Sequence, residues 1–193
     1  MSNSLEEYAQ QLFAQYLESQ MSLADYLPEK LAEAAQKIVG CLLQDGKILI
    51  CGHGASAANA LHFSTALIHQ YGVERPPLPA IVLSPDVSVS AEQTQVFSRQ
   101  IQALGQSNDL LLILTTTGDS NSLIHAVDAA KERGMDIVTL SGKNGGMLSN
   151  HLGPEDLEIQ VKLDHAARIR EAHLFILHGL CDLIDQSLFG VIG

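Results

Sequence analysis

Two short stretches place glycine and hydroxyl side chains directly after apolar runs. Gly52-His53-Gly54-Ala55-Ser56 follows the run 47–51, and Thr115-Thr116-Thr117-Gly118-Asp119-Ser120 follows Leu110–Leu114. A strand that ends in glycine and Ser/Thr and then enters a helix makes an anion site. Free backbone N–H groups and the positive helix end converge there, and the hydroxyls add donors. Two such loops in one chain point to a phosphorylated small molecule as ligand. The candidate binding residues are His53, Gly54, Ala55, Ser56, Thr115, Thr116, Thr117 and Ser120. Three threonines in a row also suit a strand extension, but Gly118 breaks that strand and Ser120 is placed to cap the next helix.

Other chemistries are less well supported. Gly52-x-Gly54-x-x-Ala57 matches a loose dinucleotide fingerprint, but the acidic partner expected about twenty residues on is missing, since the next strand ends near Ser84 and Asp86. His62, His173 and His178 lie in helical segments, where an isolated histidine is most often a packing or surface residue. There is no His-Glu-x-x-His and no cysteine cluster, so neither a metal nor another cofactor is expected. Asp182 and Asp185 suit capping or solvation of the last helix, and no Ser-His-Asp set can be assigned.

Positioning these loops requires an alternation of strands and helices. Apolar runs predict strands at 47–52, 80–84, 109–115, 136–141 and 157–161, with helices at 56–70, 91–103, 120–133 and 166–188. Continuous runs such as Leu110–Leu114 suit parallel strands covered on both faces. Gly142 to Gly146 reads as a loop and Gly134 as a helix stop. Two helices come first. Ser4-x-x-Glu7 is a capping box, followed by Tyr8, Leu12 and Tyr16 at helical spacing, and a second helix starts near Pro28. The fold class is therefore α/β: a three-layer α/β/α sandwich around a five-stranded parallel sheet, preceded by two helices. It reads as one domain over 1–193, with helices in 1–45 and the α/β core in 46–193.

Composition narrows the function classes. The chain has 193 residues, 46% of them hydrophobic and 17% charged, which is a globular balance. Its net charge of −11 disfavours direct contact with nucleic acid. Cys41, Cys51 and Cys181 sit in apolar segments without a C-x-x-C pair, as expected of buried free thiols in a cytoplasmic protein. No apolar run reaches membrane-spanning length, and the acidic N-terminus lacks a secretory core.

Several motifs resemble the sugar isomerase (SIS) family over nearly the whole chain. They are Gly52-x-Gly54-x-Ser56, Leu61-His62-Phe63, the Thr115 to Ser120 loop, Arg168-Ile169-Arg170-Glu171-x-His173 and Cys181-Asp182-Leu183-Ile184-Asp185. The nearest branch holds the phosphoheptose isomerases and the DnaA initiator-associating proteins, DiaA. The resemblance to the isomerases implies a glutamate four residues after the helix histidine, able to move a proton or ligand zinc. Here the histidine is His62 and the glutamate position is Ala66. It also implies a glutamine and a histidine eight residues apart on the last helix, and these positions are Arg170 and His178. His53 replaces the usual asparagine of the first loop, and the segment 84–100 is shorter and lacks an Asn-Asp pair.

Glu74-Arg75-Pro76, Leu152-Gly153-Pro154-Glu155-Asp156 and the run from Cys181 to Phe189 are similar to the DiaA side of the branch. That resemblance implies a non-catalytic protein that binds the replication initiator DnaA and promotes its assembly at the origin. No residue is then catalytic, His62 and His178 are residual, and the sugar-phosphate site is inherited. Leu188 and Phe189 are the expected partner contact, and the family implies a homotetramer. The alternatives are a phosphoheptose isomerase acting on sedoheptulose 7-phosphate, or a phosphosugar sensor.

Overall fold

The computed structural model describes residues 4–86 and 93–190. Helix α1 (Leu5–Met21) opens with the capping box read from the sequence: Glu7 N–H donates to Ser4 Oγ at 3.1 Å, and Ser4 N–H to Glu7 Oε2 at 2.9 Å. Helix α2 (Leu27–Leu43) has Pro28 in its first turn, where a missing N–H costs nothing. The α/β part follows as β1 (Ile48–Gly52), α3 (Ala55–Ile68), β2 (Ala80–Val82), a 3-10 turn (Gln93–Gln95) and α4 (Ser98–Leu104). Then come β3 (Leu110–Leu114), α5 (Asn121–Glu132), β4 (Asp136–Gly142), α6 (Gly146–Ser149), β5 (Leu157–Val161) and α7 (Ala166–Phe189).

The strands form one parallel sheet in the order β2-β1-β3-β4-β5. Alternation along β3 explains the three layers. Leu110, Leu112 and Leu114 enter an apolar cluster with residues of α2, α3 and α7, while Leu111 and Ile113 enter a second cluster with residues of α4 and α5. The chain leaves β1 toward β2 and later returns to the other side of β1 as β3. The strand order thus reverses between β1 and β3, and their carboxyl ends open the crevice where ligands of such sheets bind. The two Gly/hydroxyl loops lie on either side of that point.

One buried ion pair ties the α3 layer to α7. Arg75 donates to Asp185 Oδ1 at 2.6 Å and to the carbonyls of Leu67 and Ala66 at 2.7 and 2.9 Å. Helix α1 is different, because none of its residues is buried: Leu5, Phe13 and Met21 are 89%, 64% and 75% exposed.

Three sequence expectations are corrected. Strand β2 stops at Val82, two residues before the predicted end, and Leu83 instead continues only one backbone bond to Ile50. The helix predicted over 91–103 is shorter. Its described part is the 3-10 turn plus α4, and positions 91 and 92 lie outside the described residues. The stretch read as a loop up to Gly146 leads into α6, a single turn too short to carry a helical period.

Candidate functional site

In the first loop, Gly54 turns the chain with φ 55 and stands at the N-cap of α3. Ser56 N–H already donates to the His53 carbonyl at 3.0 Å. Among the described residues, the N–H groups of Gly54 and Ala55 meet no protein acceptor, as an anion-binding turn requires. The Ser56 side chain is buried beneath the turn.

The second loop is braced from behind. Thr115 is buried, and its Oγ1 accepts the Gly118 N–H at 3.0 Å. Asp119 Oδ1 accepts the Met147 N–H at 3.1 Å, and Leu148 N–H donates to the Gly118 carbonyl at 3.0 Å, so α6 props the loop. Gly118 has φ 75, and a Cβ there would lie 1.8 Å from the Gly145 carbonyl oxygen, so only glycine fits. Thr117 is exposed and Thr116 half-buried. Ser120 sits at the N-cap of α5, but its hydroxyl makes no capping bond. It pairs instead with Ser122 Oγ at 2.9 Å, which corrects its expected role.

His53 and Ser120 come together with Ser122, Asn121, Gln93 and Thr94 around a cavity of about 200 Å³ at the carboxyl ends of β1 and β3. His53 Nε2 lies 2.6 Å from Ser122 Oγ, and its ring is tilted against Phe97 with centroids 4.9 Å apart. Burial pushes the His53 pKa down. Ser56, Thr115, Thr116 and Thr117 do not line this cavity. Ser122 was missed by the sequence reading, although a second hydroxyl two residues past Ser120, still in the first turn of α5, is a usable signal.

A second group lies where α3 packs on α7. His62 and His178 meet Nε2 to Nε2 at 2.8 Å, and the Tyr71 ring lies 5.5 Å from that of His178. Burial lowers the His178 pKa and the charge of His62 lowers it further, against an opposing pull from Asp182. Asn59 Nδ2 donates to the Arg170 carbonyl at 3.1 Å nearby. His62 lies about 10 Å along the helix axis from Ala55. Ala66 is buried in the apolar cluster and offers only a methyl group. With Ala66 and the Arg170 cation at the other two positions, the set does not fit a zinc ion. Among the described residues no group of three His, Cys, Asp or Glu side chains is placed to hold a metal.

His173 serves the core. It is fully buried, its Nε2 lies 3.0 Å from the Ser141 carbonyl, and burial pushes its pKa down to about 4. Leu188 is half-buried against the first cluster rather than free, while Phe189 is 37% exposed at the end of α7.

The SIS domain model matches residues 9–142, more than half of the chain. The chain belongs to the SIS domain family. Among relatives of this SIS domain is the phosphoheptose isomerase of Shewanella sp. (strain ANA-3), 46% identical over 183 residues, which are 92% of this chain and 93% of that protein. The phosphoheptose isomerase structure from Francisella tularensis superposes with a TM-score of 0.90 at 38% identity, covering 95% of this chain and all (100%) of that one. The phosphoheptose isomerase from Neisseria gonorrhoeae gives 0.87 at 34% identity over the same shares, 95% and 100%. These relatives overturn the expectation of a non-catalytic DnaA-binding SIS protein, and Leu188 and Phe189 lose the partner assigned to them. No helix among the described residues is long and apolar enough to cross a membrane.

Proposed function

We propose that the chain is a phosphoheptose isomerase that holds sedoheptulose 7-phosphate by the phosphate and interconverts its ketose and aldose forms. The observation that carries this reading is the 2.8 Å contact between His62, on the helix that starts at the first anion loop, and His178, on the helix packed against it. Relatives bearing that name at 46% identity support the substrate class.

Aldose–ketose interconversion moves a proton from one carbon to its neighbour through an enediol and shuttles another between the two oxygens. Ala66 cannot supply the base, so the histidine pair does. With their Nε2 atoms in hydrogen-bond contact, one ring donates and the other accepts, so at least one is neutral. The lowered pKa of His178 makes it the neutral partner and the base. The phosphate is held by the unpartnered N–H groups of Gly54 and Ala55, and by the hydroxyls of Ser56, Thr115, Thr116, Thr117 and Ser120. His53 closes one side.

The reading includes a cytoplasmic setting, in which the buried thiols of Cys41, Cys51 and Cys181 stay reduced. It also includes a homotetramer in which neighbouring copies cover α1. The test is turnover of sedoheptulose 7-phosphate at an enzyme-like rate of about 1–10³ per second, with His178→Gln lowering it about 10²–10⁴-fold. Full phosphate affinity without turnover would overturn the isomerase and leave a sugar-phosphate binder.

A further inference from the structure

The cavity beside the second loop is bordered by a short chain of polar atoms. His53 Nε2 contacts Ser122 Oγ at 2.6 Å, and Ser122 Oγ contacts Ser120 Oγ at 2.9 Å. Ser122 is buried and Ser120 half-buried, and both border the cavity. Each hydroxyl has one proton to give, and the ring nitrogen gives or accepts according to its protonation. The chain therefore has two directions.

If Nε2 is bare, Ser122 donates to it and Ser120 donates to Ser122. Ser120 then offers a ligand only its lone pairs. If Nε2 carries a proton, it donates to Ser122, Ser122 donates to Ser120, and the Ser120 proton is free to point into the cavity. A phosphate dianion accepts hydrogen bonds and offers none, so it fits the second direction alone.

We propose that His53 sets the direction of this hydroxyl chain, and that Ser120 donates to a bound phosphate only when His53 Nε2 carries a proton. This rests on the anion-binding reading of the two loops. A neutral ring reaches that state by moving its proton from Nδ1 to Nε2, or by taking up a second proton and becoming charged. Burial, which lowers the His53 pKa, favours the neutral route. Among the described residues, the titratable groups on the elements packed around it are Arg99 on α4, Asp119 in the second loop, and His125, Asp128, Lys131 and Glu132 on α5. Asp119 is bonded to Met147 N–H, and His125 Nδ1 to the Thr94 carbonyl.

The chain makes His53 and Ser122 positioning residues for the phosphate. An asparagine at 53 would present a permanent amide donor. A histidine makes the same contact conditional.

Long-range proton–nitrogen spectra of the imidazoles, recorded on the labelled full chain during titration with inorganic phosphate, test the proposal. His53 Nε2 is expected to change from the unprotonated to the protonated nitrogen shift as phosphate saturates, whether by tautomer exchange or by proton uptake. Ser122→Ala interrupts the chain and is expected to abolish the response at Nε2. If the amide signals of Gly54 and Thr117 shift with phosphate but His53 Nε2 stays unprotonated, the directional chain is wrong and the anion site stands. If no amide in either loop responds, the anion site fails and takes this proposal with it.

Discussion

The imidazoles of His62 and His178 are joined Nε2 to Nε2 at 2.8 Å, although 116 positions separate them in the chain. Two protonated rings at that distance would repel with no proton-accepting nitrogen between them. Acidification should therefore inactivate the enzyme as the second ring of the pair takes up its proton, with His178 resisting to below its ordinary range. A rate profile that stays flat through that range would argue against the pair as the proton carrier.

Removing one partner from the buried Arg75–Asp185 pair should destabilise the fold by about 3–5 kcal/mol, since the guanidinium left behind is buried and uncompensated. Asp185→Ala, followed by denaturant unfolding, measures this directly. An effect within about 0.5 kcal/mol, the usual surface value, would show that the backbone carbonyls of Ala66 and Leu67 satisfy Arg75 unaided.

His173 should make stability pH-dependent on the acid side. Its folded pKa of about 4 lies below the ordinary value of 6.5, so the unfolded chain binds the proton more readily. The contribution is complete above about pH 6.5 and is lost as pH falls from there toward about 4, up to about 3 kcal/mol in all. His173→Gln should flatten that part of the stability curve.

The exposed apolar face of α1 predicts self-association. Phe13→Glu should convert the proposed tetramer into smaller species in light scattering without unfolding the α/β core, because Phe13 is 64% exposed and leaves no core cavity. A monomeric parent protein at micromolar concentration would remove the basis for the tetramer.

The three thiols should react slowly with thiol reagents in the native state. Burial raises the pKa of Cys41 and of Cys181 to about 12, and that of the fully enclosed Cys51 further still. Fast labelling of any of them before unfolding would contradict the packing around it.

The fold was legible because the two central strands that carry the loops, β1 and β3, are uninterrupted apolar runs. Ile48 to Cys51 and Leu110 to Leu114 have no competing helical reading, and their loops follow directly. Short elements were not legible. Helix α6 is held by contacts with the second loop rather than by its own pattern, and the start of α4 depends on packing of Val96 and Phe97. In the site, both loops were visible as motifs, but the bond from His53 to Ser122 joins residues 69 positions apart. No local spacing announces such a contact, and the same holds for His62 with His178. The misread function came from giving a missing carboxylate at position 66 and a similar C-terminal run more weight than the rest of the chain. Relatives sharing 46% of 183 positions reverse that weighting.

The near-contact between Gly118 and the Gly145 carbonyl has a consequence for engineering. The turn that ends β3 and the turn that ends β4 are moulded on each other, and the Asp119–Met147 and Leu148–Gly118 bonds lock the two together. Residues 115–120 grafted alone onto another α/β scaffold would lose their shape. A transplant that carries 144–149 along with them brings its own template.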